Sequence, residues 1–87
     1  MAKVEIYTSG LCPYCYRAKK LLAKKGVDFI EYDVTAKAAE RQKMSERANG
    51  RTSVPQIFIN DAHVGGCDDL FELDFDGALD KMLGQEA

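Results

Sequence analysis

Two cysteines, Cys12 and Cys15, flank Pro13 and Tyr14, and they are the residues of this chain whose types and spacing most clearly do chemistry. In a reducing compartment a thiol pair this close reads as reactive or metal-binding rather than as a structural staple. Lys3 to Thr8 alternates apolar and polar residues as a half-buried strand does. After the pair, Tyr14 or Cys15, Ala18, Leu21 and Leu22 recur at helical spacing until Gly26 ends the run. Pro13 suits the first turn of that helix, because the N–H it lacks is one a helix leaves unpaired there anyway. Cys12 therefore falls near the N-cap, where unpaired N–H groups and the helix dipole favour a negative charge. Its sulfur is the expected nucleophile.

Two other uses of these cysteines compete. Cysteines are often small buried hydrophobes, but two of them flanking proline at a helix start argue against a purely structural role. Structural zinc needs about four ligands. The remaining sulfur and imidazole donors are Cys67 and His63, four apart and unlike the second half of a zinc finger or ribbon, so no metal is expected. His63 itself reads as a solvated hairpin residue.

Size and charge narrow the classes further. Eighty-seven residues make one domain, 1–87, with one modest core. The longest apolar runs, such as Ile57-Phe58-Ile59, are strand-sized, and no membrane association is expected. The N-terminus shows no secretory signal pattern, and three cysteines are an odd count for a stapled secreted domain, so the expected location is cytoplasmic. Residues 1–25 carry six Lys or Arg against one Glu, whereas residues 60–87 carry one Lys against eight Asp or Glu. Arg17, Lys19 and Lys20 thus sit on the helix that Cys12 begins, where they either support a thiolate and attract anions or form an ordinary solvated face. The net charge of −2 and the lack of a basic stripe interleaved with aromatics exclude nucleic acid as the expected partner.

The remaining pattern supplies the elements that must position the thiols. Val27 to Val34 reads as a second strand, parallel to the first because of the long crossover. Thr35 is the expected cap of a second helix to about Ala48, with the weak apolar stripe Ala36, Ala39, Met44 and Ala48, stopped by Asn49-Gly50. Pro55 to Ile59 and Ala62 to Val64 form an expected hairpin around Asn60-Asp61. After Gly65-Gly66, a helical tail starts at Asp68 or Asp69 and carries Leu70, Phe71, Leu73, Phe75, Ala78, Leu79, Met82 and Leu83, interrupted at Gly77. The order predicts an α/β fold with a small mixed four-stranded sheet flanked by helices on both faces. Phe29, Ile30, Ile57, Phe58 and Ile59 are its expected core. Pro55 at the head of a strand is either cis, which would offer the Val54 backbone to an extended ligand, or an ordinary trans first residue.

Cys12-Pro13-Tyr14-Cys15, Ser53-Val54-Pro55 and Gly65-Gly66-Cys67-Asp68-Asp69, in this order, resemble the motifs of dithiol glutaredoxins of the bacterial glutaredoxin-3 type, and the resemblance runs from Val4 to about Leu83. It implies a thioredoxin-like fold, a cis Pro55, and glutathione as reductant and co-substrate. Position by position, Cys12 resembles the nucleophile, Cys15 the resolving thiol, and Tyr14 the residue flanking bound glutathione. Ser53, Val54 and Pro55 resemble the segment that pairs with the glutathione backbone like an added strand. Gly66, Cys67 and Asp68 fall where a backbone nest and helix start take the γ-glutamyl carboxylate. Asp69 either meets the γ-glutamyl ammonium or caps the helix. Arg51, and less closely Gln42, resemble groups that reach the glycyl carboxylate. Where the family often has lysine three positions before the nucleophile, this chain has Ser9; either Arg51 and Lys19 compensate, or glutathione binds more weakly and Cys12 is less acidic.

The expected activity is reduction of protein disulfides and protein–glutathione mixed disulfides by a monomer, in the service of cell redox homeostasis. An iron–sulfur carrier bridging two chains, and a thioredoxin-type protein served by a flavoprotein reductase, are the competing functions. The intact Cys-Pro-Tyr-Cys argues against the first, and Tyr14 with the Gly65-to-Asp69 segment argues against the second.

Overall fold

The computed structural model describes residues 2–85. The first strand, β1 (Val4–Thr8), leads into helix α1 (Pro13–Lys24), then β2 (Ile30–Asp33), α2 (Ala38–Arg47), the hairpin β3 (Gln56–Ile59) and β4 (Ala62–Gly65), and finally α3 (Cys67–Phe75) and α4 (Ala78–Met82). The four strands lie in the order β2-β1-β3-β4. β1 runs parallel to β2, with Ile6 opposite Glu31, and antiparallel to β3, with Ile6 opposite Ile57. The α1 crossover supplies the length that parallel pairing requires.

Strand alternation sorts the core into two layers. Val4, Ile6, Ile57 and Ile59 face Ala18, Leu21 and Leu22 of α1 together with Leu70, Leu79 and Leu83. Tyr7 and Phe58 face the other way, against Val34, Met44 and Ala48. Helices therefore cover both faces, and β1 is buried along its whole length rather than half-buried. Its polar positions survive burial because each has a partner. Thr8 Oγ1 donates to Glu31 Oε2 at 2.7 Å, and Glu5 accepts from Tyr32 and Arg47.

Several boundaries differ from the sequence pattern. β2 starts at Ile30, and Ile30 is 48% exposed on an edge strand instead of lying in the core, while Phe29 is only partly buried against it. Thr35 does not cap α2. Its hydroxyl accepts the Gly10 N–H at 2.8 Å, tying the turn after β2 to the loop before Cys12, and the helix begins only at Ala38. Of the weak stripe on α2 only Met44 and Ala48 are buried. Asn60 and Asp61 both take positive φ, 52° and 67°, as a two-residue turn of the primed type demands. Gly77, at φ 81°, separates α3 from α4. Among the described residues no helix is long and apolar enough to cross a membrane.

Candidate active site

Cys12 ends the loop after β1 in an extended conformation, φ −120° and ψ 96°, and is the N-cap of α1 with Pro13 in the first turn. Its Sγ accepts the backbone N–H of Cys15 at 3.1 Å. The two sulfurs are joined in a disulfide, with Cα atoms 5.2 Å apart. The bond is asymmetric in access, since Cys12 is half-buried while Cys15, on the buried face of the first turn of α1, is 2% exposed.

Across from this helix start, the Val54–Pro55 peptide is cis, and the Val54 carbonyl oxygen lies 3.9 Å from Cys12 Sγ. A groove of about 220 Å³ opens beside it, lined by Tyr14, Arg51, Ser53, Val54, Pro55, Gly66, Cys67, Asp68 and Asp69. The structure thus gathers into one concavity residues from α1, the loop before β3, and the start of α3. Gly66 lies close under the groove floor, where an added Cβ would stand 3.4 Å from the Pro55 carbonyl oxygen and 3.5 Å from Arg51. Gly65 has φ 118°, and a Cβ there would run into the Asp69 carboxylate. Asp69 Oδ2 accepts from the Gly66 N–H at 2.8 Å and from Arg51 Nη1 at 3.1 Å. The Gly66 hydrogen bond, then Arg51, hold its carboxyl below the ordinary aspartate range against the opposing effect of burial. Asp69 thus secures the N-terminus of α3 while its charge faces the groove.

A larger concavity, about 640 Å³, lies at the far end of β1 among Ala2, Gly26, Val27 and the residues after α4, away from the sulfurs. Among the described residues no group of three His, Cys, Asp or Glu side chains is placed to hold a metal ion.

The glutaredoxin family model matches residues 4–64. Glutaredoxin 3 of Escherichia coli is 58% identical over 83 residues, covering 95% of this chain and 99% of that protein. The chain belongs to the glutaredoxin family. Among solved structures, the glutaredoxin of Brucella melitensis is 53% identical, with a TM-score of 0.85 over 98% of this chain and 91% of that one. A buckwheat glutaredoxin–glutathione complex is 28% identical, with a TM-score of 0.86 over 97% of this chain and 78% of that one. This glutaredoxin is a glutathione-dependent thiol–disulfide oxidoreductase with a thioredoxin-like α/β fold.

Of the two cations that could stand in for a lysine at Ser9 in this glutaredoxin, Lys19 pairs with Glu31 at 3.0 Å and Arg51 with Asp69 at 3.1 Å. Ser9 Oγ donates to the Gly10 carbonyl, at 3.5 Å. Arg17 stands over the rings of Tyr14 and Phe71, 6.0 and 5.8 Å from their centroids. Gln42 lies on the exposed side of α2 and does not line the groove; its neighbour Arg41 instead donates from Nε to the Thr52 carbonyl at 3.3 Å. Cys67 is the first residue of α3, a free thiol 5% exposed, and burial pushes it above the ordinary thiol range while Arg17 pulls the other way.

His63 lies on the hairpin as expected but is half-buried rather than fully solvated. Its ring packs on Phe58 at 5.1 Å, and its Nε2 lies 2.7 Å from Oε1 of Gln56, which is fully buried. The one sequence signal for this was a glutamine opening an otherwise apolar strand directly after Pro55.

Proposed function

We propose that Cys12 is the sulfur that exchanges with substrate and with glutathione, and that Cys15 is the resolving thiol. The observation that carries the reading is the unequal access of two bonded cysteines, with the more accessible one placed at a helix N-cap beside the groove. A glutathione thiolate approaching the disulfide meets Cys12 Sγ. A new sulfur–sulfur bond forms there, and the Cys12–Cys15 bond breaks with its electron pair on Cys15, which then takes a proton. A second glutathione thiolate attacks the glutathionyl sulfur, releasing oxidised glutathione and the Cys12 thiolate. The helix N-terminus and the Cys15 N–H stabilise that charge.

Starting from the dithiol, the Cys12 thiolate attacks the glutathionyl sulfur of a protein–glutathione mixed disulfide and expels the protein thiolate. With a protein disulfide, the Cys12 thiolate bonds to one target sulfur as the target disulfide breaks and its other sulfur leaves as a thiolate; the Cys15 thiolate then attacks Cys12 Sγ, expelling the second target thiolate and forming the internal disulfide. Glutathione lies in the groove with its backbone along Val54 and one face against Tyr14. Its γ-glutamyl carboxylate meets Gly66, Cys67 and Asp68 at the start of α3. Its ammonium meets Asp69, and its glycyl carboxylate meets Arg51. Ser53 and Pro55 shape the edge on which it pairs. The substrates are disulfide-bonded or glutathionylated proteins, and the protein acts as a monomeric single domain of residues 1–87 in the cytoplasm.

The test is a pair of variants assayed with glutathione on both substrate types. Cys12→Ser is expected to abolish both reactions, and Cys15→Ser to lose protein-disulfide reduction while retaining deglutathionylation. Substantial turnover by Cys12→Ser would remove Cys12 from its role.

A further inference from the structure

Gln56 is wholly buried, yet its amide is fully engaged: Nε2 donates to the Ser53 carbonyl at 3.0 Å and approaches Ser53 Oγ at 3.4 Å, while Oε1 faces His63 Nε2 at 2.7 Å. On its other side His63 places Nδ1 3.4 Å from Asn49 Nδ2. Donor and acceptor identities settle the direction of the whole chain. A carbonyl only accepts, so the amide NH₂ of Gln56 must face Ser53, its oxygen must face His63, and Nε2 of the imidazole must carry a proton. In the neutral ring Nδ1 is then an acceptor, which matches the Asn49 NH₂. Four residues from three segments thus form one directed run of hydrogen bonds ending on the residue before Val54. A buried amide in a low-dielectric layer is costly to leave unpaired, so the run resists any movement of the Ser53 carbonyl.

We infer that His63 is a positioning residue for glutathione, acting through Gln56 to fix the Ser53–Val54–Pro55 backbone edge on which the tripeptide pairs. The inference rests on the proposed pairing of glutathione with Val54, and it adds a residue that lies outside the groove and touches neither sulfur nor ligand. The charged groups facing His63 are Arg51 from the loop after α2 and Asp69 and Glu72 from α3, with Asp76 further along the same shallow recess. Burial, then Arg51, hold the imidazole below its ordinary range, and Asp69 opposes them. Protonation at Nδ1 sacrifices only the Asn49 bond, since Nε2–H donates to Gln56 in both charge states.

The experiment measures glutathione KM and kcat with the mixed disulfide of glutathione and β-mercaptoethanol for wild type, His63→Leu and His63→Gln. His63→Leu is expected to raise the KM for glutathione about three- to tenfold, the equivalent of one lost hydrogen bond, with kcat changed less than about twofold. His63→Gln retains an amide N–H able to reach Gln56 Oε1 and should restore KM to within about twofold of wild type. Nitrogen NMR of the wild-type imidazole should show the Nε2–H tautomer. An unchanged KM in His63→Leu, failure of rescue in a His63→Gln protein that melts like wild type, or the opposite tautomer would overturn the inference. Titrating wild type with reduced glutathione while following the Val54 amide separates the levels. No response there removes the pairing and this inference together; a response with KM unaffected by His63→Leu removes this inference alone.

Discussion

The guanidinium of Arg51 holds the carboxylate of Asp69, Nη1 to Oδ2 at 3.1 Å, along the wall of the groove beside Cys12. The two groups proposed to take the opposite charges of glutathione therefore neutralise one another in the free protein. On that proposal, ligand entry would exchange one ion pair for two, and charge at this site would contribute more to orientation than to net affinity.

Asp69→Asn tests that exchange and carries a pH signature. The folded-state pKa of Asp69 is depressed, so its stabilisation is present above the ordinary aspartate range and is lost as pH falls through the folded value. Near neutral pH the variant should be less stable by about 0.5–1 kcal/mol, a modest figure because the pair is substantially exposed and the new amide still accepts from Gly66. Urea denaturation at neutral pH and again below the Asp69 titration should show the difference closing in acid. A gap that persists in acid would mean that charge is not what Asp69 contributes.

Arg47 meets Glu5 with two hydrogen bonds, 3.0 and 3.2 Å, and stacks 4.0 Å over Phe58 on the α2 face of the sheet. Glu5 is 4% exposed, so Arg47→Ala takes two charge-assisted hydrogen bonds from a buried carboxylate and leaves it with Tyr32 and, at 3.8 Å, Lys3. The expected loss is about 2 kcal/mol, below that of a fully buried broken pair because Arg47 is partly exposed and Tyr32 and Lys3 still serve Glu5. Arg47 holds the Glu5 carboxyl below its ordinary range, so the wild-type advantage should shrink as pH falls through that titration. Chemical denaturation checks the magnitude, and an unaltered Cys12 alkylation rate checks that the damage stays on the far layer.

Ser9 places no cation three positions before Cys12, and Lys19 and Arg51 are each paired with a carboxylate, Glu31 and Asp69. Ser9→Lys should lower the glutathione KM about two- to fivefold at low ionic strength, with the gain fading in salt. It should also shift the midpoint of Cys12 alkylation to lower pH. No change in either quantity would show that the helix N-terminus alone sets the thiolate.

Cys67 lines the groove but is raised by burial, so little of it is thiolate near neutrality. In the reduced protein, limited iodoacetamide treatment followed by peptide mass analysis should label Cys12 first and Cys67 far more slowly. Comparable early labelling of Cys67 would contradict its burial.

Much of the site was legible because its parts are local. A cysteine before proline at the foot of an amphipathic run must sit at a helix N-cap, and strand-length apolar runs separated by a helix-length crossover must pair in parallel. The motif residues could likewise be carried over by position, and the fold brings Tyr14, the residues around Pro55 and those after Gly65 to one groove. Boundaries set by competition for partners were not legible. Thr35 had the composition of a helix cap, but its hydroxyl is taken by Gly10 from a distant loop, and Ile30 had the composition of core but lies on an edge.

The chain on its own therefore determined which sulfur sits at a helix start, the order of strands and helices, and the family. Tertiary structure alone decided that Cys15 is shielded while Cys12 is only half-buried, that Arg51 and Lys19 are already paired, and that His63 reaches Ser53 through a buried Gln56. Helix caps and periodicities are short-range consequences of residue type. Which distant side chain satisfies a buried polar group depends on the meeting of segments from α2, the β3–β4 hairpin and α3, and no spacing along the sequence encodes that meeting.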